Sequence, residues 1–326
     1  LIKTQLGKIS EPVKDDLEAF SAIFKRSMKS QIGLVDLVTG FIIKQKGKKI
    51  RPLLVMLSAD ICGGVNERTH RGAVLVELLH TATLVHDDIV DNADRRRGLP
   101  SINAIWKNKI AVLMGDYLLS RGLMSAIEGS DFDFLGAITN TVQRMSEGEL
   151  LQIQKTRKLD IDLTTYFKVI SDKTASLLET CCHIGALSSS DKPELFNAMK
   201  SYGANLGMAF QITDDILDYE GKSSIIGKPV GGDIKEKKIT LPLILAMEKV
   251  SSDEVNRIKK IIRRGAKKGG VDEVISFVEK NGGIEAARKV ADDFSSKAIS
   301  CLDIFPDSKT KDSLIALVNF VIKRKN

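Results

Sequence analysis

Six aspartates in two identically spaced trios are the residues of this chain best suited to chemistry. Asp87, Asp88 and Asp91 lie in LVHDDIVD (84–91), and Asp214, Asp215 and Asp218 in QITDDILD (211–218). Each trio closes an apolar run with helical periodicity. On an α-helix, residues four apart share a face, so Asp87 and Asp91 point the same way with Asp88 beside them, and Asp214 and Asp218 do likewise. Like charges at that spacing destabilise a helix, aspartate is a weak helix former, and a carboxylate is unfavourable at a helix C-terminal end. Two such arrangements in one chain imply that positive charge settles on them. The donors are oxygens only, which favours a hard cation; magnesium takes one or two carboxylates and completes its shell with water and phosphate oxygens. There is no His-Glu or Cys-His cage for zinc. The four cysteines, Cys62, Cys181, Cys182 and Cys301, show no C-x-x-C spacing.

Charge balance extends this reading. A phosphate-bearing ligand beside six carboxylates is too negative to hold together, and divalent cations offset only part of the excess. The remainder must come from Arg and Lys, whose bonds to phosphate oxygens are charge-assisted. Candidates are Lys48 and Arg51 in GKKIRP, Arg96 and Arg97 in RRRG, and Lys173, Lys228 and Lys238. The formal net charge of +7 is therefore explained in part without nucleic acid. Aromatic residues are only 5% of the chain, and none interleave with the basic runs KKIIRRGAKK (259–268) and IKRKN. Stacking platforms for single-stranded nucleic acid are not supported, and the basic runs read as solvated helix faces and a tail.

The elements that must position these groups are helices. The chain has 326 residues, 43% hydrophobic and 28% charged, with only 7 prolines. Helical periodicity dominates, with one or two helices before KGKKIRP, a helix stopped at Gly63-Gly64, and a long, unusually apolar helix through the first trio. Gly98 and Pro100 end that helix. Further helices are predicted at 105–127, 132–156, 163–188, 192–220, 239–250, 253–264, 271–280, 283–303 and 308–324. The stretch EGKSSIIGKPVGGDIKEKK reads as the longest irregular loop, suited to covering phosphate. The expectation is an all-α chain, a single domain over 1–326 with ten or more helices around a central apolar cavity. No uninterrupted apolar run approaches membrane-spanning length, the N-terminal residues do not follow a signal-peptide layout, and a reduced, cytoplasmic protein is expected.

In order along the chain, GKKIRP, HTATLVHDDIVDNADRRRGLP, GDYLLSRG (115–122), GELLQI (148–153), KTASLLE (173–179), GMAFQITDDILDYEG (207–221) and GKPVGGDIKEKKITLP (227–242) resemble the trans-isoprenyl diphosphate synthase, or polyprenyl synthetase, family over nearly the whole length. The resemblance implies the isoprenoid synthase fold and three Mg²⁺ ions. Asp87 and Asp91 would bind two ions on an allylic diphosphate, supported by Asp88. Asp214 would bind the third, with Asp215 and Asp218 nearby through water. Arg96, Lys173, Lys228 and Lys238 would hold the allylic diphosphate, and Lys48, Arg51, His80 and Arg97 isopentenyl diphosphate. Thr174 and Gln211 would present oxygens to the developing allylic cation. Two positions depart from the family pattern: Lys46 stands before Gly47 where a second glycine is common, and Lys237-Lys238 where Gly-Lys is common.

The implied reaction is ionisation of the allylic diphosphate, attack by the double bond of isopentenyl diphosphate, and loss of a proton to the departing diphosphate, with water excluded by apolar walls. Ala82 and Thr83 precede Asp87 by five and four residues, one turn or about 6–7.5 Å along the helix. Short-chain relatives have an aromatic floor there; these small residues imply a tunnel that continues and a product of about C30–C40, a quinone side-chain precursor. Met145, Leu150 and Leu151 lie in the region where such a tunnel would be stopped. A homodimer through the apolar helix near 105–127 is expected from the family, with membrane contact only transient, for product release. The alternatives are a geranylgeranyl or farnesyl diphosphate synthase, or a terpene cyclase or non-catalytic subunit on the same fold. The presence of Lys48, Arg51 and Arg97 argues against a cyclase, and two intact aspartate trios argue against a non-catalytic subunit.

Overall fold

Asn66 opens the helix that carries the first acidic trio. Its side chain accepts from the Thr69 N–H at 3.0 Å while Thr69 Oγ1 accepts from the Asn66 N–H at 3.2 Å, a reciprocal cap that satisfies two helix-end donors. The computed structural model describes residues 2–45, 47–96, 98–220, 231–265 and 269–323. The helices are α1 (Ile2–Ile9), α2 (Lys14–Ser27), α3 (Gly33–Lys44), α4 (Ile50–Cys62), α5 (Glu67–Val90), α6 (Ile102–Glu128), α7 (Phe132–Lys158), α8 (Leu163–Ile170), α9 (Ser176–Ser189) and α10 (Pro193–Glu220). A π-helical turn, Ser171–Ala175, joins α8 to α9. Shorter helices follow at Gly232–Lys235, Leu241–Met247, Ser252–Arg263, Gly270–Lys280, Gly283–Ser300 and Lys309–Ile322. The all-α expectation of ten or more helices holds.

Two details differ from expectation. After α5 the chain does more than stop: β1 (Arg95–Arg96) pairs antiparallel with β2 (Leu99–Pro100), and Gly98 takes φ +81 in the turn between them. The loop expected to be wholly irregular contains the helix Gly232–Lys235, because Asp218 accepts from the backbone N–H groups of Gly232 and Asp233, each at 3.0 Å. The part of that loop over 221–230, with Lys228, lies outside the described residues, as does Arg97.

Contacts divide the chain into two compact units. The first comprises Leu1–Thr139, Thr180–Met199 and Asp307–Ser313. In it α5 is buried on most sides, with Leu75, Val76, Leu78, Leu79 and Ala82 each at most 1% exposed. Burying a side chain of Leu size contributes about 1.5–3 kcal/mol, so this helix is a principal source of the unit's stability. α6 runs along α5, and Gly122 lets it approach Leu75 and Leu78. Val38, Val85, Ile102, Ala111 and Met114 tie α3, α5 and α6 together. By length and composition α6 could cross a membrane, and 33% of its apolar window is buried.

The second unit comprises Asn140–Glu179, Lys200–Pro306 and Leu314–Asn326. Ile212, Ile216 and Tyr219 on one side of α10 pack with Ile244, Val274, Phe277 and Ala287 of the later helices. All four cysteines are free thiols, and Cys62, Cys181 and Cys182 are buried.

Candidate active site

The first acidic trio sits in the last turn of α5, within the first unit. The Asp91 N–H donates to the Asp87 carbonyl at 2.8 Å, so helical geometry continues through the trio and sets the two carboxylates one turn apart. Asp88 is buried and accepts from Arg96 Nε at 2.7 Å. Arg96 stands on β1, eight residues after Asp88, so the chain leaving α5 carries this guanidinium back to the helix end. Loss of solvent raises the Asp88 carboxyl above its usual range; the Arg96 guanidinium pulls it down, and Asp91 pushes it up again. Asn103 secures the same corner, its Nδ2 donating to the carbonyls of Asp88 and Ala93, each at 3.3 Å.

His86, just before the trio, reaches across to α6, with Nε2 3.3 Å from the Val112 carbonyl and 3.4 Å from Asp116 Oδ1. Gly115 makes this possible, since a Cβ there would lie 2.2 Å from His86 Nε2. The glycine of GDYLLSRG thus has a packing reason. His80 is buried two turns earlier, and its carbonyl accepts from Thr83 Oγ1 at 2.9 Å. Ala82 is fully buried and Thr83 half-buried. Lys48 is exposed on the loop before α4, and Arg51 is half-buried in its first turn. The intervening Lys49 has left-handed backbone (φ 50) and donates to Ser21 Oγ at 2.6 Å.

The second trio ends α10, within the second unit. Asp215 is buried and accepts at both oxygens, from Tyr166 Oη at 2.6 Å and Gln211 Nε2 at 2.8 Å. Burial pushes its carboxyl up to about 8, and the neighbouring acids Asp233 and Asp214 push the same way against those two hydrogen bonds. Asp218 is likewise held at both oxygens, by the Gly232 and Asp233 N–H groups. Lys238 Nζ donates to Glu236 Oε2 at 2.6 Å and stands 4.0 Å from Asp233, which places the second of the two adjacent lysines beside the acidic cluster. Lys237 is exposed, with φ +62.

Lys173 and Thr174 lie on the π-helical turn, a local widening common at functional positions. Two glycines wedge this turn: a Cβ on Gly148 of α7 would lie 3.0 Å from the Lys173 nitrogen, and one on Gly207 of α10 would lie 2.5 Å from the Ala175 Cα. Thr174 Oγ1 donates to Gln211 Oε1 at 2.8 Å. Lys173 Nζ pairs with Glu149 and donates to Gln152 Oε1 at 2.8 Å, both residues of GELLQI. Arg144 braces the turn, donating to Asp172 Oδ1 and Glu179 Oε2 at 2.9 Å each and to Ser171 Oγ at 3.2 Å. Lys168 also pairs with Asp172, and Lys200 stands 3.6 Å from Glu179. Sequence reasoning did not single out Arg144, Tyr166 or Asp172. Leu150 is 66% exposed, which removes it as a buried tunnel stop, whereas Met145 and Leu151 are partly buried.

The donors present fit a hard divalent cation. Both trios offer carboxylate oxygens, and Asp215 is an acid crowded by other acids, a carboxyl that added positive charge nearby would return to its ionised form. Among the described residues no three or more His, Cys, Asp or Glu converge into a complete metal cage. An ion here would complete its shell with ligand oxygens and water, as magnesium commonly does.

A family model described as polyprenyl synthetase matches residues 34–278. The chain is 34% identical over 320 residues to the all-trans-nonaprenyl-diphosphate synthase (geranyl-diphosphate specific) of Rhodobacter capsulatus, covering 97% of each chain. It is 34% identical over 289 residues to the short chain isoprenyl diphosphate synthase of Methanothermobacter thermautotrophicus, covering 87% of this chain and 89% of that one. Among solved structures, the polyprenyl synthase of Caulobacter crescentus complexed with calcium and isoprenyl diphosphate matches with a TM-score of 0.91 and 30% identity, covering 98% of both chains.

Proposed function

The chain belongs to the polyprenyl synthetase family and is a magnesium-dependent prenyl transferase, and on that premise we propose that it adds isopentenyl diphosphate head-to-tail, in trans geometry, to an allylic diphosphate. The observation that carries this reading is the pair of aspartate trios, each closing a long helix with its second aspartate buried and held, Asp88 by Arg96 and Asp215 by Tyr166 and Gln211. Asp87 and Asp91, with Asp88 in support, and Asp214, with Asp215 and Asp218 acting through water, would hold three Mg²⁺ ions. Bound magnesium supplies charge neutralisation of the diphosphate as its bond to the allyl group breaks.

The chain's own residues do the rest. Arg96, Lys173, Lys238 and Lys228 bind the allylic diphosphate; Lys173 exchanges its bonds to Glu149 and Gln152 for diphosphate oxygens of higher charge. Lys48, Arg51, His80 and Arg97 orient isopentenyl diphosphate. Thr174 and Gln211, fixed against each other at 2.8 Å, turn oxygens toward the allylic carbon as positive charge develops. Apolar residues flanking each trio exclude water. The proton released on condensation passes to the departing diphosphate.

Ala82 and Thr83, about one turn or 6–7.5 Å below Asp87, are too small to form a floor, which favours a product of about C30–C40. A nonaprenyl synthase and a short-chain synthase share the same 34% identity with this chain, so product length rests on these positions rather than on overall similarity. The exposed apolar residues of α6, Ile105, Val112, Leu113, Met124 and Ile127, suit the interface of a homodimer.

Incubation of the protein with radiolabelled isopentenyl diphosphate, geranyl or farnesyl diphosphate and Mg²⁺, followed by separation of the products by length, tests this function. Products of about C30–C40 are expected. Products of C15–C20 would replace the long-chain reading with a farnesyl or geranylgeranyl one, and absence of magnesium-dependent incorporation with every primer would overturn the condensation itself.

A further inference from the structure

We propose that Tyr166 is a positioning residue for the reacting centre: through Asp215 it locks the Gln211 side-chain amide with its carbonyl oxygen on the Thr174 side. The inference rests on the prenyl-transfer reading and adds to it a residue that no aspartate or lysine motif contains. Four side chains form one continuous hydrogen-bonded line, all within the second unit. Tyr166 Oη donates to Asp215 Oδ2 at 2.6 Å, Gln211 Nε2 donates to Asp215 Oδ1 at 2.8 Å, and Thr174 Oγ1 donates to Gln211 Oε1 at 2.8 Å.

The direction of each bond follows from chemistry. Oδ1 of Asp215 accepts, so the amide nitrogen of Gln211 faces Asp215 and its oxygen faces Thr174. A flipped amide would set Oε1 against that acceptor oxygen and the NH₂ group where an oxygen is needed. Asp215 can impose this choice only if its own rotation is stopped. Its Oδ1 is on Gln211, one helical turn away on α10, so the second anchor has to come from another element. Tyr166 of α8 is that anchor. It is 4% exposed, and its ring is held edge-on by Phe167 at 5.5 Å between centroids. A phenol is suited to the task because it delivers one donor from a rigid, apolar body.

In the reaction, Tyr166 touches neither diphosphate. Its loss releases the Asp215 carboxylate, lets the Gln211 amide rotate, and weakens stabilisation of the allylic cation while leaving the diphosphate contacts in place. Tyr166→Phe keeps the ring and removes only the donor. The expected result is a kcat about tenfold or more below wild type, the worth of one hydrogen bond to a charged group, with KM for both diphosphates within about twofold. In a Gln211→Leu background, Tyr166→Phe produces no further fall, because the residue acts through that amide. A Tyr166→Phe enzyme with wild-type kcat, or one whose loss multiplies in full with that of Gln211→Leu, would overturn the proposal.

A second measurement reads the lock without turnover. In ¹⁵N-glutamine-labelled protein, the Gln211 side-chain amide, assigned by its disappearance in Gln211→Leu, is expected to exchange slowly with solvent in wild type and much faster in Tyr166→Phe. Equal exchange in the two proteins would overturn the lock even if both are active. Inactive wild-type protein would instead remove the prenyl-transfer reading, and the amide signal would still decide whether Tyr166 holds Gln211.

Discussion

Arg144 Nε donates to Asp172 Oδ1 at 2.9 Å, and Asp172 is the second residue of the π-helical turn that carries Lys173 and Thr174. The same guanidinium reaches Ser171 at the start of the turn and Glu179 in α9, so a single side chain on α7 ties the turn to the helix that follows it. Asp172 is buried, and removing its arginine leaves a desolvated carboxylate that keeps its pairing with Lys168. Arg144→Met is expected to destabilise the fold by about 3 kcal/mol. Chemical denaturation measures this, and Arg144→Met with Asp172→Asn should recover part of the loss. Unchanged stability in the single variant would show that the turn holds its shape without Arg144.

Gly207 sits where α10 meets the π-helical turn, and a Cβ there would lie 2.5 Å from the Ala175 Cα and 2.7 Å from its Cβ. Backbone must move to admit even a methyl group. Gly207→Ala is expected to destabilise by about 1–3 kcal/mol and to lower kcat by displacing Lys173 and Thr174. Gly136→Ala, on an open face of α7 with nothing within 4 Å, is expected to be neutral or stabilising by up to about 1 kcal/mol. Equal behaviour of the two variants in unfolding and steady-state assays would contradict this account of the wedge.

Asp215 makes metal-free stability depend on pH. Its carboxyl titrates at about 8 in the fold and at about 4 in an unfolded chain. Between those values the folded protein holds a proton that the unfolded chain has released, so this group's contribution falls as pH rises from about 4 to about 8. Asp215→Asn is neutral throughout. With chelator present, its Tm is expected to exceed that of wild type at pH 8, with a narrower gap at pH 5. A gap of constant size across that range would show that the carboxyl titrates normally.

Ala82 and Thr83 carry the product-length argument. Thr83→Phe and Ala82→Tyr are each expected to shift the product distribution toward shorter chains, read by chromatography of the labelled products. Ala82 is 1% exposed, so Thr83→Phe, at a half-buried position, is the milder perturbation. Unchanged product length in both variants would contradict the tunnel.

The parts of the site written as local patterns were legible in the sequence. Asp-Asp-x-x-Asp after an apolar run means a carboxylate pair at a helix end, and both trios stand where that rule puts them, closing α5 and α10. Helix α9 and its approach were legible as one stretch because a π-helical turn keeps the chain helical, with its hydrogen bonds shifted to i→i+5. Arg144 and Tyr166 were not legible. Each lies in mid-helix among ordinary neighbours, and their partners are 28 and 49 residues away, a relation no spacing rule carries. Asp218 reads from sequence as one more acidic ligand; only the returning chain at Gly232 reveals that it also starts a helix. Likewise RRRGLP reads as a helix stop, and the return of Arg96 to Asp88 depends on a two-residue pairing too short to leave a periodic trace.

The proposed prenyl transfer needs both trios for magnesium-dependent binding of the allylic diphosphate. Equilibrium binding of a non-hydrolysable allylic diphosphate analogue, titrated with and without Mg²⁺ in wild type, Asp87→Asn, Asp214→Asn and the double variant, tests it most directly. Each single substitution is expected to weaken magnesium-dependent binding, and the double variant to lose less than the sum of the two, because each trio's ions hold the same ligand. Full magnesium-dependent affinity in Asp214→Asn, or strict additivity of the two losses, would contradict it.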